Sequence, residues 1–154
     1  MALSTAFINP FVGSAINVAL PAIGNEFLAD AVLLSWVAMS YLLVSAVLMV
    51  PFGRLADIFG RKKIYLTGIT LFTLSNAFCA FSGSIYSLIA FRTFQGISSS
   101  MIFSTSMAIL MSAFPGEGRG RALGLTVAST YTGLSAGPFA GGFMTQAFGW
   151  RSIF

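Results

Sequence analysis

Long apolar runs alternate with short polar breaks along the whole chain. The runs fall at about 3–23, 34–53, 64–82, 85–113 and 122–147, and each is close to or above the ~20 residues that carry a helix across a bilayer core. The pattern predicts an all-α polytopic membrane bundle of about five transmembrane helices within residues 1–154. The first run differs from a signal peptide, because no basic region precedes it and its apolar stretch outruns a typical signal core. It is read as a retained helix.

The breaks alternate in charge. The first, with Glu26 and Asp30, has no Lys or Arg. The second, Gly53 to Lys63, carries Arg54, Arg61, Lys62 and Lys63. The third, Ser82-Gly83-Ser84, is uncharged. The fourth, Pro115 to Arg121, contains Arg119 and Arg121, and the last contains only Arg151. Bases therefore gather on one side, and because Lys and Arg concentrate in cytoplasmic loops, the N-terminus is expected on the cytoplasmic side of the cell membrane.

Composition sharpens this picture. Mean hydropathy is +0.88, with 56% hydrophobic and only 8% charged residues, outside the range of an ordinary soluble domain. The net charge of +4 does not signal nucleic acid, since the bases sit at the ends of apolar runs and form no continuous face with interleaved aromatics. With no His and one Cys, zinc sites and internal disulfides are not expected. Cys79 reads as a small packing residue. A membrane-embedded hydrolase would need acids, a Ser/His set or a metal site within a span, and the spans hold no acid or His, so no enzyme is expected. Gly116-x-Gly118-x-Gly120 is spaced wrongly for a dinucleotide loop and follows no strand; it reads as a flexible turn.

The second break carries the densest chemistry. In Gly53-Arg54-Leu55-Ala56-Asp57-Ile58-Phe59-Gly60-Arg61-Lys62-Lys63 two glycines bracket an acid, and a basic cluster follows. Asp57 and Arg61 are four apart and can pair on one helical face. A solvated basic border explains the lysines but not Gly53 or Asp57. Gly53, Leu55, Asp57, Gly60, Arg61 and Lys62 are similar to the signature loop between the second and third helices of the Major Facilitator Superfamily. The resemblance implies a cytoplasmic gate of Gly53, Asp57, Gly60 and Arg61, with the carboxylate facing a helix N-terminus in the opposite half.

Arg92 is the one charge well inside an apolar run, where a central arginine costs ~2.5–3.5 kcal/mol on insertion scales. Gln95 lies three residues on, on the same face. One reading gives Arg92 a partner or role in the interior; the other has it snorkel about seven residues, or ~10 Å, to the outer end of its helix. Arg92, Gln95 and Gly96 resemble the family's fourth-helix Arg-x-x-Gln-Gly motif, which implies proton coupling. As arginine does not release its proton, it would act by lowering the pKa of a neighbouring carboxyl.

Gly133, Gly137 and Gly141 recur every four residues, clearing one helix face for close approach, and Pro138 removes a backbone donor. Together with Gly142 they resemble the family's fifth-helix antiporter motif, which implies export by exchange. Asn17-Val18-Ala19-Leu20-Pro21 resembles the first helix of the 14-helix drug:proton antiporter branch, though Val12 stands where that branch usually has Asp. Asn17 is left either facing a cavity or bonding to another helix.

A shift of 89 residues places Gly53, Leu55, Phe59, Gly60, Lys62 and Ile64 on Gly142, Met144, Phe148, Gly149, Arg151 and Ile153. Three spans separate the copies, so they face opposite sides, as in inverted three-helix repeats. Gln146 replaces Asp57 and Trp150 replaces Arg61, so latch chemistry is expected at the first copy only.

The resemblance thus implies an incomplete Major Facilitator fold, the N-terminal portion of a longer transporter. Its partners would be the bilayer, C-terminal helices of the same chain and a small-molecule substrate, with no cofactor beyond a proton gradient as energy source. The expected function is proton-coupled export of small amphipathic compounds. Another Major Facilitator solute transporter and a non-transporting oligomeric scaffold are the alternatives.

Overall fold

Backbone amides in an apolar setting must find their partners within the chain, and helices satisfy them locally. The computed structural model describes residues 2–114 and 118–154, and its described regular structure is entirely helical. Five helices run antiparallel in sequence: α1 (Ala2–Phe27), α2 (Ala31–Phe59), α3 (Arg61–Ala80), α4 (Ile85–Ala113) and α5 (Gly118–Phe148). A 3-10 turn, Trp150–Ile153, follows.

Local chemistry sets the ends. Asp30 caps α2 by accepting from the Leu33 amide at 2.8 Å. Ser84 and Ser87 form a reciprocal capping box at the start of α4. Prolines 10, 21, 51 and 138 lie inside helices without ending them, which is why α2 runs through Gly53 to Phe59 rather than stopping near residue 53. The break comes at Gly60, whose φ of +100° suits a residue without Cβ.

The helices pair α1 with α5, α2 with α4, and α3 with α4. Glycines set two of these approaches. A Cβ on Gly96 of α4 would lie 2.7 Å from the Tyr41 carbonyl oxygen of α2, and one on Gly68 of α3 would lie 2.9 Å from Met101 Cβ of α4. The buried core holds Ile16, Ile23, Val37, Leu88 and Trp150 toward one end, with Tyr65, Phe72 and Ile102 toward the other. Large apolar side chains such as Val50, Phe139 and Phe143 point outward, as on a surface that faces lipid.

By length and composition, Leu3–Phe27, Ala31–Phe59 and Ile85–Ser112 are each able to cross a membrane among the described residues. Of the five expected spans, these three meet that criterion. Helix α3 opens on Arg61-Lys62-Lys63 and α5 is rich in Gly and Thr, which dilutes their apolar character.

The 89-residue shift is visible in the fold. It carries α2 onto α5 and Gly60 onto Gly149, and Gly149 also has positive φ, at +83°. It also exchanges the α1–α5 and α2–α4 pairs with each other. The two copies start at opposite ends of the bundle, as inverted repeats do.

Candidate functional site

The interior polar network starts at Arg92. Its side chain is 1% exposed and turned into the bundle, so it does not snorkel along its own helix. Nε donates to the Val37 carbonyl of α2 at 3.1 Å, and Nη1 donates to Gln95 Oε1. Gln95 Nε2 then donates to Asn76 Oδ1 of α3 at 2.7 Å, and Asn76 Nδ2 to the Phe72 carbonyl at 2.8 Å. The guanidinium also lies over the Tyr41 ring, 4.5 Å from its centroid, and the Tyr41 hydroxyl is bonded to Ser99 Oγ at 2.8 Å. One cation thereby joins α2, α3 and α4. Desolvation explains the density of contacts: a charge removed from water must be surrounded by oriented dipoles.

A cavity of about 300 Å³ opens beside this network, lined by Asn9, Ser14, Asn17, Tyr41, Ser45 and Arg92 among others. Asn17 lines it and bonds to no other helix among the described residues. Asn9 is 3% exposed, and its Nδ2 has no hydrogen-bond partner. A second cavity of about 480 Å³ lies toward the start of α1, and Phe103 and Leu134 wall both. Among the described residues, no Asp or Glu lines either one. The carboxyl expected beside Arg92 is therefore not supplied by the described residues, whose acids Glu26, Asp30 and Asp57 lie at the bundle ends.

At the end holding the α2–α3 break, Asp57 and Arg61 pair across Gly60, with Nη2 to Oδ1 at 3.0 Å and both side chains exposed. Asp57 meets no helix N-terminus within the described residues. Gly53 is unremarkable sterically: a Cβ there would be 3.8 Å from Ser104 Cβ, an ordinary contact. Pro115, Gly116 and Glu117 of the fourth break lie outside the described residues.

The opposite end departs from expectation. Latch chemistry was expected only at the first copy, yet Arg151 pairs with Glu26 at 2.6 Å, Trp150 Nε1 donates to the same carboxylate at 2.6 Å, and Arg151 also donates to the Ser82 carbonyl. The second copy replaces Asp57 and Arg61 but recruits its acid from the end of α1, so aligned positions alone did not reveal it. Replacing Glu26 with Gln is expected to lower thermal stability by less than ~1 kcal/mol, because the pair is 41% exposed on both sides. A melt in detergent measures this.

In α5, Gly133, Gly137 and Gly141 face α1. A Cβ on Gly133 would collide with the Phe7 carbonyl, one on Gly137 with Ser14 Oγ, and one on Gly141 would stand 2.6 Å from Ala15 Cβ. Gly142 has ordinary space, with Val18 Cγ1 at 3.5 Å. Pro138 lies between these contacts, inside the helix.

The sequence of the chain matches the model of the Major Facilitator Superfamily over residues 2–154. It is 35% identical over 148 residues to the riboflavin transporter RibZ of Clostridioides difficile, covering 96% of this chain and 32% of that protein. It is 39% identical over 140 residues to the multidrug resistance protein Stp of Mycobacterium tuberculosis, covering 90% and 26%. To the methylenomycin A resistance protein of Streptomyces coelicolor it is 36% identical over 155 residues, covering 99% and 33%. The chain thus spans about a third or less of the length of these curated relatives. Matched along nearly its whole length and folded into antiparallel helices around a buried polar network, the chain belongs to the Major Facilitator Superfamily.

Proposed function

We propose that the full-length protein carrying these residues is a secondary active transporter that exports small amphipathic compounds in exchange for protons. The observation that carries this reading is the cavity beside Arg92. It combines a few polar groups with a mostly apolar wall between α1, α2, α4 and α5, the composition of a small-molecule site. Relatives named for multidrug and methylenomycin A resistance support an export role. Arg92 and Gln95 tune coupling, Asn17 faces the substrate path, and Gly133, Gly137, Pro138, Gly141 and Gly142 keep α5 against α1. Vesicles holding the full-length protein and an imposed pH gradient test the reading: saturable, gradient-dependent movement of a lipophilic dye is expected. Movement indifferent to the gradient overturns the exchange mechanism.

Orientation follows from the bases. Arg54, Arg61, Lys62, Lys63, Arg119 and Arg121 lie at the end shared by the α2–α3 break and the start of α5, with Arg151 at the other, which supports a cytoplasmic position for the former end. In a Cys79→Ala background, cysteines at Ser84 and Gly118 are expected to react from outside and inside respectively. Labelling of both from one side refutes this topology.

The gate reading predicts a split effect for Asp57→Asn. The exposed pair with Arg61 contributes no more than ~1 kcal/mol, so stability should hardly move. A carboxylate facing a helix N-terminus in one state only is worth ~0.3–2 kcal/mol, enough to shift a two-state gate by up to about thirty-fold. Spin-label distances across the cytoplasmic side of the full-length protein should show a larger inward-open fraction. Unchanged distributions would confine Asp57 to the membrane border.

A further inference from the structure

We infer that the cavity beside Arg92 is a subsite for the carboxylate of an organic acid, so that the amphipathic substrates are anions. This rests on the transport reading above and names the substrate's chemical class. Arg92 spends Nε on Val37 and Nη1 on Gln95, while Nη2 makes no hydrogen bond among the described residues. Asn9, across the cavity on α1, is buried with an unpartnered Nδ2. Native interiors seldom leave such donors unpaired without a reason, and a ligand acceptor is one. Both residues line one cavity.

The charge balance points the same way. Arg92 is a buried cation whose partners are a carbonyl, an amide and an aromatic face, all neutral. No carboxylate of the described residues lines the cavity. A buried charge lacking a counter-charge favours any anion of the right size and disfavours a cation. The other polar groups do not compete for this role. Ser14 and Ser45 turn their hydroxyl protons back to the Phe11 and Leu42 carbonyls of their own helices. Phe103 and Leu134 also wall the neighbouring larger cavity, lined by Met49, Met107, Val127 and Tyr131. An acid head at Arg92 with an apolar body in that second space fits the sequence of surfaces.

The test uses the purified full-length protein and three probes with one ring system: naphthaleneacetate, its primary amide naphthaleneacetamide, and the matching naphthyl amine. Equilibrium binding at neutral pH is expected to favour the acetate over the amide by about tenfold or more, the scale of a charge-assisted hydrogen bond, with the amine weakest. Arg92→Gln should bring the acetate to the level of the amide. Because Arg92 also braces three helices, Asn9→Asp is the second variant. It removes no existing bond of Nδ2, sets an acid in the cavity wall, and should place the amine above the acetate. Equal binding of the three probes, a wild-type preference for the amine, no binding of any, or an acid preference that survives both variants overturns the inference. Gradient-driven flux on the same preparation separates the two readings. Acid selectivity without flux removes the transport mechanism and keeps the subsite, and flux without acid selectivity does the reverse.

Discussion

Replacing Arg92 with alanine is expected to reduce gradient-driven transport by the full-length protein at least tenfold while the protein still inserts. Among the described residues, the guanidinium alone ties α2 to the Gln95–Asn76 chain of α4 and α3. Its removal takes a donor from the Val37 carbonyl and leaves Gln95 Oε1 without one. Each buried polar atom left unsatisfied costs about 1–3 kcal/mol, although hydrogen bonds between membrane helices average nearer ~0.6 kcal/mol. The loss of stability should therefore be tolerable, and the loss of function should exceed it. Arg92→Lys should recover only part, because an ammonium is a point charge that cannot reach Val37 and Gln95 in the same planar geometry. Flux in vesicles, read beside a thermal melt of the same variants, separates function from folding. An alanine variant with full flux would mean that the buried cation only braces the helices.

Arg92 and Gln95 were legible in the sequence because a charge inside an apolar run is costly enough to call for a partner, a role or a route to the surface. Their partners were not. Asn76 lies in α3 among Thr and Ser residues that give it no distinguishing pattern in one dimension, and the α3–α4 contact picks it out. Tyr41 and Asn9 sit in apolar runs where one polar residue carries no spacing signal. Helix periodicity marked the glycines of α5 as an interface but could not name α1 as the other side. The end of α2 was misplaced because charge begins at Arg54, whereas the helix continues until Gly60 adopts positive φ. Charge marks where the membrane border falls, and backbone geometry marks where the helix stops; these need not coincide. The pair of Arg151 with Glu26 bridges 125 residues, a distance no local motif covers.

Gly141→Leu is expected to separate α1 from α5 and to destabilise the bundle strongly. The backbones approach so closely here that even a Cβ at Gly141 would stand 2.6 Å from Ala15 Cβ and 2.8 Å from Ala15 Cα. Ala15 is fully buried, and its Cα belongs to a helix that cannot yield by turning a side chain. Gly137 is similar, with the Phe11 carbonyl oxygen 2.9 Å from where its Cβ would lie. Overpacking a well-filled interface typically costs 1–3 kcal/mol; contact with backbone rather than with a flexible side chain puts Gly141→Leu at or above about 3 kcal/mol. Gly137→Ala should cost less, about 1–2 kcal/mol, since Ser14 Oγ can rotate away while the Phe11 carbonyl cannot. Gly124 supplies the control. It lies in the same helix with nothing within 4 Å of its would-be Cβ, so Gly124→Ala should be neutral or stabilise by up to ~1 kcal/mol through helix propensity. Thermal melts of the three variants in one detergent decide the matter. If all three glycines respond alike, α5 is sensitive to helix propensity alone, and its four-residue spacing is not what holds it against α1.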